Sequence, residues 1–429
     1  AARPWRRPWR AGGSGGVGPA ALALAMAWGG ELRPRGGASD VSCAFAGAFA
    51  PETASRCHDP RLRAPPTPSR SSTGASPARR GAVARAAGRR DVLLGGGAAG
   101  LASVSGGDVQ DRAESGGGAA SPLCDMPLHR LAPAPGQAGG QFASVTASIR
   151  GEPVELMLDS GLSEGLVTPA LAARLALRRS GRSQGEGAGG VSDVNLVEVP
   201  DLVLGCGVHL GRPLTAVVSD FPQEKLDQAL PLSGMLGYQA LQEYDVDLDF
   251  PRARFRLWPA GQGAAMARKA GLRDVVAVLL PVFGVLCVRV MAPGSGGAAA
   301  ALGIVDTGAS FSAINAGAAR NLGVRLASGG PEMEVLGVDG RPLRLQLARD
   351  VALPLGGPPR AGGGWETSVS FSAGAVAVGD LPALQALAGG ETPAVLLGLD
   401  VLSQRRVVFA AAGRGAEGAG GERQLLLGD

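Results

Sequence analysis

Between residues 138 and 412 the apolar positions fall in short runs separated by Gly- and Pro-rich turns. Such runs predict strands, because a half-buried strand alternates and a fully buried one is a brief unbroken apolar stretch. The predicted strands cover 141–149, 154–158, 195–199, 214–218, 277–282, 285–290, 302–305, 343–347 and 375–378. Two stretches break the pattern: 169–177 and 315–322 carry apolar residues at the i, i+3, i+4 spacing of a short helix. Residues 236–243 and 396–404 have the pattern of strand–turn–helix joints. The prediction is an all-β protein of two similar β-barrel-like lobes with short helices.

The lobes are predicted because one order of parts occurs twice. An apolar run ends at Asp159-Ser160-Gly161-Leu162-Ser163, and Gly237 follows 78 residues beyond Asp159, behind Met235-Leu236. A second run ends at Asp306-Thr307-Gly308-Ala309-Ser310, and Gly398 follows 92 residues beyond Asp306, behind Leu396-Leu397. Each unit then closes on a strand-like run, 244–250 and 406–409. Duplication is the simplest account. It predicts an N-terminal lobe over 137–260, a C-terminal lobe over 261–412 and a flexible tail over 413–429.

Composition changes the picture for the remainder. The chain holds 69 Gly and 31 Pro in 429 residues, close to a quarter, so part of it is expected not to fold. The 45% of hydrophobic residues still supply a core, drawn from Leu, Val and Ala because aromatics are only 4%. Residues 1–90 contain 15 Arg and four acids, a net of +11, which leaves −7 for residues 91–429. A clustered basic footprint on the folded part is therefore missing, and nucleic-acid binding is not expected.

Residues 1–136, rich in Arg, Ala, Ser, Gly and Pro and without a sustained period, are expected to be a disordered targeting region and linker. The composition suits an organellar transit peptide, chloroplast first and mitochondrion as the alternative; a disordered extension without function is the plain reading. Arg89-Arg90 before the weakly apolar 95–104 resembles a twin-arginine signal, and behind a transit peptide that order resembles thylakoid-lumen targeting. No run reaches the 18 or so apolar residues of a membrane span, so no transmembrane segment is expected. Cys43, Cys57, Cys124, Cys206 and Cys287 are widely spaced and are expected to be isolated thiols. Three His and five Cys offer little for a multi-ligand metal site, so neither metal nor cofactor is expected.

Two copies of D-[ST]-G-x-S, each after an apolar strand and each with a distal apolar-apolar-Gly element, resemble the pepsin/retropepsin aspartic proteases. The endings from Gly237 to Phe250 and from Gly398 to Phe409 are similar to the retropepsin G-x-x-x-L-x-x-x-x-V-x-F pattern. The resemblance covers about residues 138–412. It implies an aspartic endopeptidase whose catalytic residues are Asp159 and Asp306, one from each lobe of a monomer, acting on a polypeptide substrate. It implies supporting roles for Gly161 and Gly308 in tight turns, and for Ser160 and Thr307 in a cross-lobe hydrogen-bonded grip. Ser163 and Ser310 would bond the outer oxygen of their aspartates, and Gly237 and Gly398 would back the catalytic loops. Two carboxyls in contact cannot both ionise, so they would share a proton and activate a water between them, with an optimum on the acid side of neutral. Residues 187–195 and 337–340 are the flap candidates.

The first copy departs from the second. Leu162 stands where Ala309 does, and Glu164 where Phe311 does. Two further readings therefore stand beside the protease: a catalytically inactive relative that binds peptides or acts as a scaffold, and a second lobe that pairs between chains.

Overall fold

The computed structural model describes residues 28–33, 121–133, 140–187, 190–221, 223, 226–227, 231–280, 285–295, 297–336, 342–361, 363–381, 384, 392–411 and 422–429. The transit, twin-arginine and Cys43/Cys57 expectations lie outside the described residues, apart from a strand at Trp28–Arg33 that pairs antiparallel with Glu332–Leu336. Among the described residues the strands form two sheets and the helices are short, so the fold is all-β. No helix among them is long and apolar enough to cross a membrane.

Each lobe is built on one three-strand unit. In lobe one the strand Glu152–Asp159 runs to its aspartate, the short strand Gly165–Val167 returns, and the distal strand Leu232–Gly237 inserts between them. The insertion pairs Gly237 with Asp159 in parallel register. In lobe two Ala299–Val305, Ala313–Ile314 and Ala394–Leu397 repeat the arrangement, with Leu397 opposite Val305. Burial of both faces explains why these strands are apolar runs without alternation. A helix follows each returning strand, Pro169–Arg174 and Ala316–Asn321. Each starts at a side-chain cap, Thr168 Oγ1 accepting from Leu171 N–H and Asn315 Oδ1 from Ala318 N–H.

The lobes join through the strands that close each repeat. Tyr244–Asp249 of lobe one pairs antiparallel with Arg406–Phe409 of lobe two, Val246 opposite Phe409 and Asp249 opposite Arg406. Alternation along Tyr244–Asp249 is complete: Val246 and Leu248 enter the main apolar core, while Asp245, Asp247 and Asp249 share the other face, also buried. Arginines neutralise that face. Arg406 donates to both oxygens of Asp247 (2.8 and 2.6 Å), and Arg256 reaches Asp247 and Asp249. The helix Gln262–Lys269, not anticipated from the sequence, covers it and donates Ala264 N–H to Asp245.

Three expectations are corrected at the boundaries. The tail at 413–429 holds a strand, Glu422–Leu427, inserted between Arg273–Leu280 and Arg406–Phe409 with Leu425, Leu426 and Leu427 fully buried. The Gly-rich run before it hid a strand whose apolar side chains fill the interlobe sheet. Folded chain also begins before residue 137: Cys124–Pro127 is the edge strand of the interlobe sheet against Arg254–Pro259, and His129–Pro133 pairs with Phe142–Ile149. Cys124 and Cys206 are not isolated thiols; they form a disulfide across 82 residues of sequence. Spacing could not reveal it, because the pairing depends on which strands become neighbours. Cys287 is free and buried.

Candidate active site

Each D-[ST]-G motif turns at the C-terminal end of its strand, and the two turns meet face to face. Ser160 N–H donates to Thr307 Oγ1 (3.0 Å) and Thr307 N–H donates to Ser160 Oγ (3.0 Å). The hydroxyls themselves donate across the lobes, Ser160 to Val305 O (2.9 Å) and Thr307 to Leu158 O (3.0 Å). Ser160 and Thr307 therefore tie the loops by four reciprocal buried bonds. Each is worth about 1 kcal/mol net and costs more if left half-made.

The grip brings the carboxyl groups together. A Cβ on Gly161 would stand 2.7 Å from Asp306 Cγ, and one on Gly308 2.3 Å from Asp159 Cγ. Each glycine is thus the floor under the opposite lobe's carboxyl, which a side chain would displace. Gly161 N–H donates to Asp159 Oδ1 (2.9 Å) and Gly308 N–H to Asp306 Oδ1 (2.8 Å). The carboxyls face one another closely enough to interact directly, and Asp306 Oδ2 is buried without a hydrogen-bond partner. Two enclosed carboxyls this close need a proton on one of them. Burial pushes Asp159 up to about 7. Asp306 is pushed well above the ordinary range by burial and then by the Asp159 charge. Burial is the first cause of both shifts, and the pair shares one proton.

The distal glycines brace these loops from behind. A Cβ on Gly237 would stand 1.9 Å from Glu164 O, and one on Gly398 2.4 Å from Phe311 O. Tyr238 N–H and Leu399 N–H donate to Leu162 O (2.9 Å) and Ala309 O (2.8 Å), the same bond in each lobe. Leu162 faces the interior of lobe one, fully buried with Phe142, Met157 and Leu166, so its bulk fills core. Ala309 has the matching place in lobe two. Ser163 is partly exposed, its carbonyl accepting from Gln239 N–H (3.2 Å). Ser310 is buried and closely approached by Gly140 of lobe one, where a Cβ would meet Ser310 Cβ at 2.4 Å.

Two acids add to this picture. Glu164 is half-buried, its Oε2 enclosed without a hydrogen-bond partner, and burial pushes its carboxyl up. Asp400 was missed: Ser312 Oγ donates to Asp400 Oδ1 (2.8 Å) and accepts from Gly398 N–H (3.1 Å), and burial pushes Asp400 up to about 6. Its signal was an acid inside the apolar run 395–402. Lobe one has Gly165 and Gln239 at the corresponding places, so it lacks a hydroxyl–carboxylate brace there. The 187–195 flap candidate lies on the antiparallel hairpin Arg178–Gly187/Gly190–Val199, its tip outside the described residues. The 337–340 candidate lies outside them altogether.

Residues 145–240, which span Asp159 and the distal Gly237, match the family model for aspartyl protease. The aspartyl proteases are the family this chain resembles. Solved structures similar to this aspartyl-protease-like chain include a retropepsin-like aspartic protease from Rickettsia conorii. It is 13% identical and the match covers 31% of this chain and 92% of that one, with a TM-score of 0.20. Basic 7S globulin from soybean is 11% identical over 71% of this chain and 94% of that one, TM-score 0.34. Conglutin gamma, a basic 7S globulin from lupine seeds, is 12% identical over 72% and 96%, TM-score 0.35. No curated protein matches.

Proposed function

We propose that the protein is a single-chain aspartic endopeptidase with Asp159 and Asp306 as its catalytic pair. The observation that carries this is the pair itself: two buried carboxyls from opposite lobes, each packed over the other lobe's glycine and fixed by the Ser160–Thr307 grip. The ionised member of the pair takes a proton from a water held between the carboxyls, and that water attacks the peptide carbonyl carbon. The protonated member gives its proton to the carbonyl oxygen, and breakdown of the tetrahedral adduct returns a proton to the leaving amine. The substrate is a polypeptide lying extended between the lobes. Assembly of the pair within one chain favours a monomer over pairing of second lobes between chains.

Asp306→Asn is expected to abolish cleavage of a mixed peptide library while the protein stays folded; full cleavage by that variant would sink the assignment. The second reading, an inactive peptide-binding relative, is favoured by the near-complete enclosure of Asp159 and Asp306, 3% and 0% exposed. Pepstatin binding by the unaltered protein without turnover would decide for it. We place the protein in the chloroplast, with the mitochondrion as alternative. The Cys124–Cys206 disulfide supports an oxidising compartment such as the thylakoid lumen.

A further inference from the structure

The disulfide joins two different sheets. Cys124 opens the strand Cys124–Pro127, the edge of the interlobe sheet, paired among the described residues with Arg254–Pro259 and anchored by Cys124 and Met126 in the main apolar core. Cys206 sits in the turn after Leu202–Leu204, a strand of lobe one's own sheet. The two residues differ in access. Cys124 is buried at 2% exposure, whereas Cys206, packed on one side against the main core, is partly exposed in a turn between two exposed glycines, Gly205 and Gly207. The turn is tightly seated: Gly205 N–H donates to Thr146 O (2.9 Å), and a Cβ on Gly205 would meet Thr146 Oγ1 at 2.4 Å and Met126 Cε at 3.1 Å.

The edge strand has a further tie. Asp125 pairs with Arg254 (2.8 Å) and Arg256 (3.3 Å), and Arg256 also reaches Asp247, the residue that holds Arg406 of lobe two. Two ion pairs thus connect Asp125, next to Cys124, with Asp247 at the joint between the lobes.

We propose that Cys124–Cys206 is a thiol–disulfide exchange site, a reducible latch that holds the N-terminal edge strand on the interlobe sheet. A dithiol reductant attacks Cys206 Sγ as a thiolate, forming a mixed disulfide and expelling the Cys124 thiolate, which takes up a proton. The second thiol of the reductant then attacks its own sulfur in the mixed disulfide and releases Cys206. The sum is two electrons and two protons moved from the dithiol, which leaves as a cyclic disulfide. The strand keeps its ladder, its ion pairs and the burial of Met126, but it loses the covalent tie to lobe one's own sheet and opens more often.

The proposal does not rest on the protease reading, and its readout needs no activity. Amide hydrogen exchange of the full chain is followed with and without dithiothreitol. Reduction is expected to speed exchange in 124–128 and 254–257 by about tenfold or more while the 152–159 strand stays protected, as local opening requires. The Cys124→Ser/Cys206→Ser double variant is expected to exchange at the fast rate without reductant and to ignore it. Unchanged exchange in 254–257 after reduction, a bond that resists millimolar dithiothreitol under native conditions, or a double variant that still responds would each overturn the latch.

Discussion

The motif singles out Asp159 and Asp306, but what governs their chemistry is how completely they are enclosed. A carboxyl pushed up by burial favours the protonated folded state. Its contribution to stability is full below the ordinary carboxylate range and is lost as pH rises through the folded value. For Asp159 that window runs from about 4 to about 7. Asp159→Asn is therefore expected to be more stable than the unaltered protein at pH 7, by about 2–4 kcal/mol, and to show a flatter melting profile across that window. Thermal melts at pH 4.5 and 7.5 check it; equal pH dependence in both proteins counts against the enclosed pair. The same shift moves the expected acid limb of kcat/KM toward neutrality. On the acid side of that limb both carboxyls hold protons and no base remains to take one from water. A pH–rate profile on a peptide substrate reads it: the resemblance implies an optimum on the acid side of neutral, and the enclosure of the pair moves the acid limb upward from there. Leu162 shows the limit of reading single residues. Its size marks the first copy as a departure, and only its direction, inward among Phe142 and Met157, shows that the bulk fills core.

At the scale of elements, the repeat carried most of what could be read ahead of coordinates. The strand entering each aspartate, the capped helix after each returning strand and the distal glycine strand were all placed from local pattern. Leu214–Val218 fell on its predicted bounds, and the helices starred by Thr168 and Asn315 matched to within a few residues. Elements without a period were missed: Glu422–Leu427 behind a Gly-rich run, Cys124–Pro127 behind a linker-like composition, and the disulfide from Cys124 to Cys206. Their existence depends on distant neighbours, so no window of sequence contains the reason for them. The joint between Tyr244–Asp249 and Arg406–Phe409 is of this kind, and its strength is testable. Arg406→Met leaves Asp247 fully buried with less neutralising charge, at a cost of about 3 kcal/mol. Adding Asp247→Leu is expected to recover part of that loss in urea denaturation. A single variant as stable as the parent would show that Arg256 alone suffices.

For the whole molecule, the lobes are equivalent in plan and unequal in detail. Lobe two has the Ser312–Asp400 brace and the more enclosed aspartate; lobe one has Gly165, Gln239 and an unpartnered Glu164 oxygen. Both depend on a sheet to which distant parts of the chain contribute. Deleting 422–429 removes the strand between Arg273–Leu280 and Arg406–Phe409 and forfeits the burial of three leucines, about 6 kcal/mol. Loss of the cooperative melt is expected, and a truncated chain that melts like the full one would contradict the placement of that strand.

The acidic face of Tyr244–Asp249 has a consequence during synthesis. Its interlobe neighbour lies about 160 residues further on, so a ribosome must make all of lobe two while one border of that strand stands open. An open border is where nascent chains stick to one another. Three aspartates on one side of the strand, not yet met by Arg406, make a second copy an unwelcome guest, and the same charges become the mortar once the arginine arrives.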